Sequence, residues 1–128
     1  YANYKGTSAL SEPESKALAD LANSANWTMT ISYHSMGNLV YWDFAGNKVA
    51  EQSKELAELV TGISGYRTNR SSGKGGFKDY VQIKDSPIPS LTIEVGSVAC
   101  PMPASEFGNV WNSNQSILAA LAAYAADH

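Results

Sequence analysis

The sequence predicts an α/β fold, part of a mixed sheet held between helices. Three observations predict it. Residues 28–34 alternate with period two. Residues 91–95 form a short apolar run with one charge inside it. Between and around these runs, apolar residues recur at helical spacing.

The first helix signal is Ser11 followed three residues later by Glu14, a capping-box arrangement, with Pro13 in the first turn. Leu18, Leu21, Ala22 and Ala25 then give one apolar face, and the helix should end near residues 23–26. In the first strand Met29, Ile31 and Tyr33 share one face, and Thr30, Ser32 and His34 the other. Ser35-Met36-Gly37-Asn38 reads as a turn, and residues 39–44, aromatic and β-branched, as a second strand. Val49, Ser53, Leu56, Ala57 and Val60 mark a second helix, stopped by Gly62.

Residues 62–76 read as a long irregular stretch. Its glycines lie among serines and basic residues, Arg67, Arg70 and Lys74, with Lys78 just beyond. Long loops inside compact domains are often functional. Residues 77–83 suit a short helix, Leu91 to Val95 a buried strand, and Phe107, Val110, Trp111, Asn114, Ile117, Leu118, Leu121 and Tyr124 a long C-terminal helix. Three strands are few for such a sheet, so the fold is expected to need more chain.

Composition narrows the function. The 128 residues are 44% hydrophobic and 16% charged, a globular balance. A net charge of −3 gives no basic character for a phosphate backbone, so no nucleic-acid partner is expected. No apolar run approaches the roughly 20 residues of a membrane span. The lone Cys100 excludes an intrachain disulfide and a multi-thiolate zinc site, and reads as a small buried apolar residue.

Two residues stand out chemically. His34 ends a strand entering a turn, where α/β sheets place their ligands. Glu94 lies within an apolar strand, where a carboxylate is costly unless something pairs it or uses it. Structural alternatives are a hydrogen-bonded core histidine and an ion pair of Glu94 with Lys78, Lys84 or Arg67.

With their surroundings these residues match a pattern. Tyr4-Lys5-Gly6 followed by Ser11-Glu12-Pro13-Glu14, then Ile31-Ser32-Tyr33-His34-Ser35, then Leu91-Thr92-Ile93-Glu94-Val95-Gly96, occur in order and end in a long helix. The chain resembles the zinc metallocarboxypeptidase family of the carboxypeptidase A type, in a bacterial-looking form. The resemblance implies that residues 1–128 are the C-terminal portion of one catalytic domain, an α/β/α sandwich lacking its N-terminal part. It implies that His34 is a zinc ligand and Glu94 the general base that takes a proton from water and passes it to the leaving amine.

The resemblance also suggests Tyr66, in Ser64-Gly65-Tyr66-Arg67, as a mobile tyrosine closing over substrate, against the plain reading of a surface tyrosine. Gly75-Gly76-Phe77-Lys78-Asp79 aligns with the segment lining the family's specificity pocket, which puts Lys78 near its floor. A buried ammonium there favours an acidic or diaminopimelate-type side chain, hence a peptide substrate from the bacterial cell wall and a secreted or cell-envelope location. The plain alternative is a solvated loop lysine. The family's His-x-x-Glu ligands do not occur in this sequence, and its substrate-binding Asn-Arg pair, which lies before the Tyr4 region in the family, is absent there. The chain alone is therefore expected to bind zinc weakly, to be inactive, and to expose a sheet edge that invites self-association.

Two rivals are considered. Tyr33-His34-Ser35-Met36-Gly37 is similar to a serine-hydrolase nucleophile elbow with Ser35 as nucleophile and His128 as its base. Tyr33 replaces the glycine of that turn, and a strand follows where the elbow needs a helix. The other rival is a metal-free binding module of the same fold.

Overall fold

The computed structural model describes residues 6–71, 73, 75–97, 99 and 101–128. Expectations that fell on Tyr4, Lys5, Lys74 and Cys100 lie outside the described residues. Helix α1 (Pro13–Asn23) leads to strands β1 (Thr30–Ser35) and β2 (Leu39–Tyr41), helix α2 (Ala50–Ser64), strand β3 (Arg67–Asn69), helix α3 (Phe77–Ile83) and strand β4 (Ser90–Val95). A 3-10 turn (Ala104–Glu106) precedes helices α4 (Phe107–Asn114) and α5 (Ile117–Asp127). The described strands form one mixed sheet in the order β1-β4-β2-β3. β1 runs parallel to β4, β4 antiparallel to β2, and β2 parallel to β3. The α/β class and the mixed sheet are as the sequence predicts.

Alternation divides β4 between two environments. Leu91 and Ile93 are fully buried and join Val40, Leu56, Ala57, Val60, Ile117 and Leu121 in the main core, which places α2 and α5 over that face. Burying such side chains stabilises the fold by roughly 1.5–3 kcal/mol each. Ser90, Thr92 and Glu94 lie on the other face. Their register partners on β1 are Thr30, Ser32 and His34, so a polar file crosses the two strands. A hydroxyl hydrogen bond between Thr30 and Ser90 closes its first rung. A second, smaller cluster gathers Ala22 of α1 with Val81 of α3 and Ile88.

Gln82 locks α3 to the sheet. Its buried side-chain amide nitrogen reaches the Trp42 carbonyl (2.8 Å), the Ser90 carbonyl (2.9 Å) and Ser53 Oγ (3.2 Å). These contacts join the segment just after β2, β4 and α2 through one polar side chain, which specifies geometry more narrowly than apolar contact does.

Several local expectations need correction. The capping box does not form. Helix α1 opens at Pro13 with Glu12 as its N-cap and no side-chain capping bond. Ser11 is therefore one position too early; its hydroxyl accepts from the Thr7 N–H and donates to the Glu12 carboxylate. The buried face of α1 is Ala19 and Ala22, whereas Leu18 and Leu21 are 44% and 52% exposed.

Gly62 does not stop α2, because a helical glycine costs only about 1 kcal/mol. The helix ends at Gly65, whose φ of +72° supplies the left-handed cap. Strand β3 lies within the stretch read as irregular. The regular part of β2 is shorter than expected, although the Trp42 and Asp43 N–H groups still donate to the Asn69 and Arg70 carbonyls. The long C-terminal helix is divided around Gln115 and Ser116 into α4 and α5.

Candidate active site

His34 and Glu94 are register partners on parallel strands. Register partners in adjacent strands share a face and lie about 4.8 Å apart across the ladder. Both stand one residue before the C-terminal ends of their strands, where open α/β sheets gather ligands. His34 is exposed and Glu94 half-buried. The expectation of a fully buried carboxylate is thus corrected. Leu91 and Ile93 of this strand are buried in the main core and Val95 packs against it, and alternation turns Glu94 to the polar side.

The backbone closes this corner. Across β4 from His34, the register partner of Glu94 is Leu39. Between β1 and β2 the chain turns through a cis Ser35–Met36 peptide bond, and the Gly37 N–H donates to the Gly96 carbonyl at 2.7 Å. Gly96 has a φ of +77°, and a Cβ there would collide with the Met102 thioether. Glycine is therefore needed directly behind the strand that carries Glu94.

Neither Tyr66 nor Lys78 lies on the His34–Glu94 rung. Tyr66 is only 9% exposed and belongs to the main core cluster, and its hydroxyl accepts from the Asn114 side-chain amide at 2.8 Å. It is therefore no surface residue, and Gly65 before it serves as the cap of α2. One side of Tyr66 lines a cavity of about 240 Å³ with Asn38, Gly96, Ser97 and Val110. Burial, then the neighbouring Tyr66, pushes the Tyr33 phenol above its usual range.

Lys78 is 4% exposed, so it is no solvated loop lysine. Its ammonium is paired with the Asp79 carboxylate and also donates to the Asp43 carbonyl (2.9 Å) and Gln82 Oε1 (3.3 Å). It lies 5.9 Å from the centre of the Phe44 ring. Phe44 and Asp43 line a cavity of about 400 Å³ together with Asn47, Ala50, Arg70 and Ser71. Lys78 itself is not part of that lining, so it stands behind the wall and does not face the cavity.

One group that sequence reasoning passed over is the Asp43–Arg70 pair. Arg70 donates from Nε (2.9 Å) and Nη2 (2.5 Å) to Asp43 Oδ2, and Asn47 donates to Oδ1 (3.0 Å). Burial pushes the Asp43 carboxyl up, but Arg70, Asn47 and the Phe44 N–H together hold it below its usual range. No local motif joins residues 43 and 70, which meet only because β2 and β3 run side by side.

The serine-hydrolase rival fails on this geometry. Strand β2, not a helix, follows Ser35 and its turn. His128 stacks on Tyr124 at the end of α5, with Nδ1 2.9 Å from the Tyr124 carbonyl.

As a metal donor set, one imidazole on an open strand end suits one position of a three-ligand zinc site. No group of three histidine, cysteine or carboxylate residues able to hold a metal occurs among the described residues.

The α/β domain carries a histidine and a glutamate on one rung at its strand ends, and comparison with known proteins gives its family. Residues 1–116 match the zinc carboxypeptidase family, and the chain belongs to that family. It is 34% identical to the gamma-D-glutamyl-L-diamino acid endopeptidase 1 of Lysinibacillus sphaericus over 92% of this chain and 30% of that protein. It is 30% identical to the uncharacterized protein YqgT of Bacillus subtilis strain 168, over 92% of this chain and 32% of the relative. The chain thus spans about a third of the length of these curated relatives. No helix among the described residues is long and apolar enough to cross a membrane.

Proposed function

We propose that the full-length protein is a zinc-dependent peptidase of the carboxypeptidase type, cutting on the amino side of an acidic or diaminopimelate-type residue in cell-wall peptides. The observation that carries this reading is the shared rung and shared face of His34 and Glu94. Family membership supports peptide hydrolysis, and the name of the Lysinibacillus relative supports a diamino-acid substrate.

His34 would hold the metal through an imidazole nitrogen, together with ligands outside the described residues. Held there, zinc would supply Lewis acidity toward the scissile carbonyl and the attacking water. Glu94 takes the proton from the attacking water and delivers it to the leaving amine. Tyr66 borders the cavity beside the Glu94 strand and contributes to the substrate wall. Lys78 contributes from behind the larger cavity, by fixing the Asp43 backbone.

The same donor set implies that these 128 residues alone bind zinc weakly and do not turn over peptides. The edge strands β1 and β3 of the described sheet support self-association of the isolated chain.

The test is hydrolysis of a γ-D-glutamyl-meso-diaminopimelate peptide by the full-length protein, followed by mass spectrometry with and without a chelator. Release of diaminopimelate, lost on chelation and restored by zinc, is expected. A zinc-loaded protein that leaves this peptide intact refutes the substrate assignment.

A further inference from the structure

The larger cavity has a chemical character that neither His34 nor Glu94 explains. Leu39 and Tyr41 share the Glu94 face of the sheet, since they pair with Glu94 and Thr92. Asp43 lies four residues beyond Leu39, about 13 Å further at the rise of an extended chain. The cavity of about 400 Å³ opens there. Its position suits a group several bonds from the scissile amide rather than the amide itself.

Arg70 is the cation on the cavity wall, and its side chain remains 76% exposed although it is paired. It is held from two sides. Asp43 grips Nε and Nη2, and the guanidinium carbon lies 5.7 Å from the centre of the Trp42 ring. Asp43 is fixed in turn: its carboxylate accepts from Asn47 and its carbonyl accepts from buried Lys78. A guanidinium carries five N–H donors in a rigid fork. Asp43 engages two of its three nitrogens and leaves capacity for a second carboxylate.

We propose that this cavity is a subsite for a carboxylate on the substrate side chain and that Arg70 is its recognition residue, with Asp43 and Lys78 as positioning residues. The proposal rests on the peptidase reading above and names the group that reads the distal carboxylate of the diamino acid. A guanidinium already oriented by Asp43 and Trp42 binds a carboxylate with little further ordering. Lysine at the same substrate position has the chain length and the ammonium but no distal carboxylate, so it is the proper comparison.

The experiment measures kcat/KM of the full-length protein on two peptides that differ only in meso-diaminopimelate or L-lysine after the γ-D-glutamyl bond. Wild type is expected to favour diaminopimelate. Arg70→Ala should lower the ratio of the two kcat/KM values by about tenfold or more, chiefly through KM on the diaminopimelate peptide. Arg70→Lys, which keeps charge but loses the fork, should fall between. Arg70→Ala leaves the buried Asp43 carboxylate without its cation, whereas Arg70→Lys keeps a charge beside it, so circular dichroism checks that both variants fold. A ratio unchanged in Arg70→Ala, with wild type cutting both peptides, overturns this assignment and leaves the peptidase reading intact. Wild type cutting neither peptide removes the peptidase reading and this one with it.

Discussion

His34 on β1 and Glu94 on β4 occupy the same rung of a parallel ladder, 60 residues apart in sequence and side by side on one face of the sheet. Parallel pairing makes this placement robust. A slip of one residue would turn either side chain to the opposite face, where Leu91 and Ile93 meet the helices. The core therefore fixes the register, and the register fixes the site.

The isolated 128-residue chain should bind zinc far more weakly than an intact three-ligand site. Competition against a chromophoric chelator checks this. Affinity equal to that of the full-length protein would mean that the described residues contain a donor set beyond His34.

Tyr66→Phe should destabilise the fold by about 1 kcal/mol, because it removes the buried hydroxyl that accepts from Asn114. Urea denaturation reads the change. If stability is untouched and only KM rises, Tyr66 is a mobile substrate contact and its core position is not essential.

Replacing Lys78 with methionine should cost about 3 kcal/mol or more. The Asp79 carboxylate would remain buried without its cation. Lys78→Met combined with Asp79→Leu should recover much of the loss. A single variant as stable as wild type would show that the ammonium is not needed to hold Asp79 and the Asp43 carbonyl.

Asp43 sets a pH dependence. Its folded-state pKa is depressed, chiefly by Arg70 and Asn47 acting against burial. The resulting stability is fully present above the unfolded value of about 3.9 and is lost as pH falls through the lower folded value. Asp43→Asn should therefore flatten the acid limb of the stability profile below about pH 4. An unchanged acid limb would show that the Asp43–Arg70 pair carries no net stability.

Much of this was legible in the sequence where a local pattern sufficed. Period two separated Ile31 and Tyr33 from Ser32 and His34, and that division holds in the ladder. Glu94 stood out as a charge inside an apolar run, although the run hid that alternate residues face away from the core. One glycine signal misled: Gly62, read as the stop of α2, lies within it, and Gly65 is the cap of that helix. Strand β3 carries polar and charged residues and is exposed throughout, so no hydrophobic period announced it. The Asp43–Arg70 contact and the Gln82 node depend on long-range packing that no spacing rule encodes.

The most direct test of the central claim compares zinc content and peptide hydrolysis in full-length wild type, Glu94→Gln and His34→Ala. Wild type and Glu94→Gln should each hold one zinc per chain, while Glu94→Gln loses about a hundredfold or more in kcat. His34→Ala should lose the metal and the activity together. Glu94→Gln turning over at the wild-type rate, or His34→Ala retaining full zinc, would contradict the account.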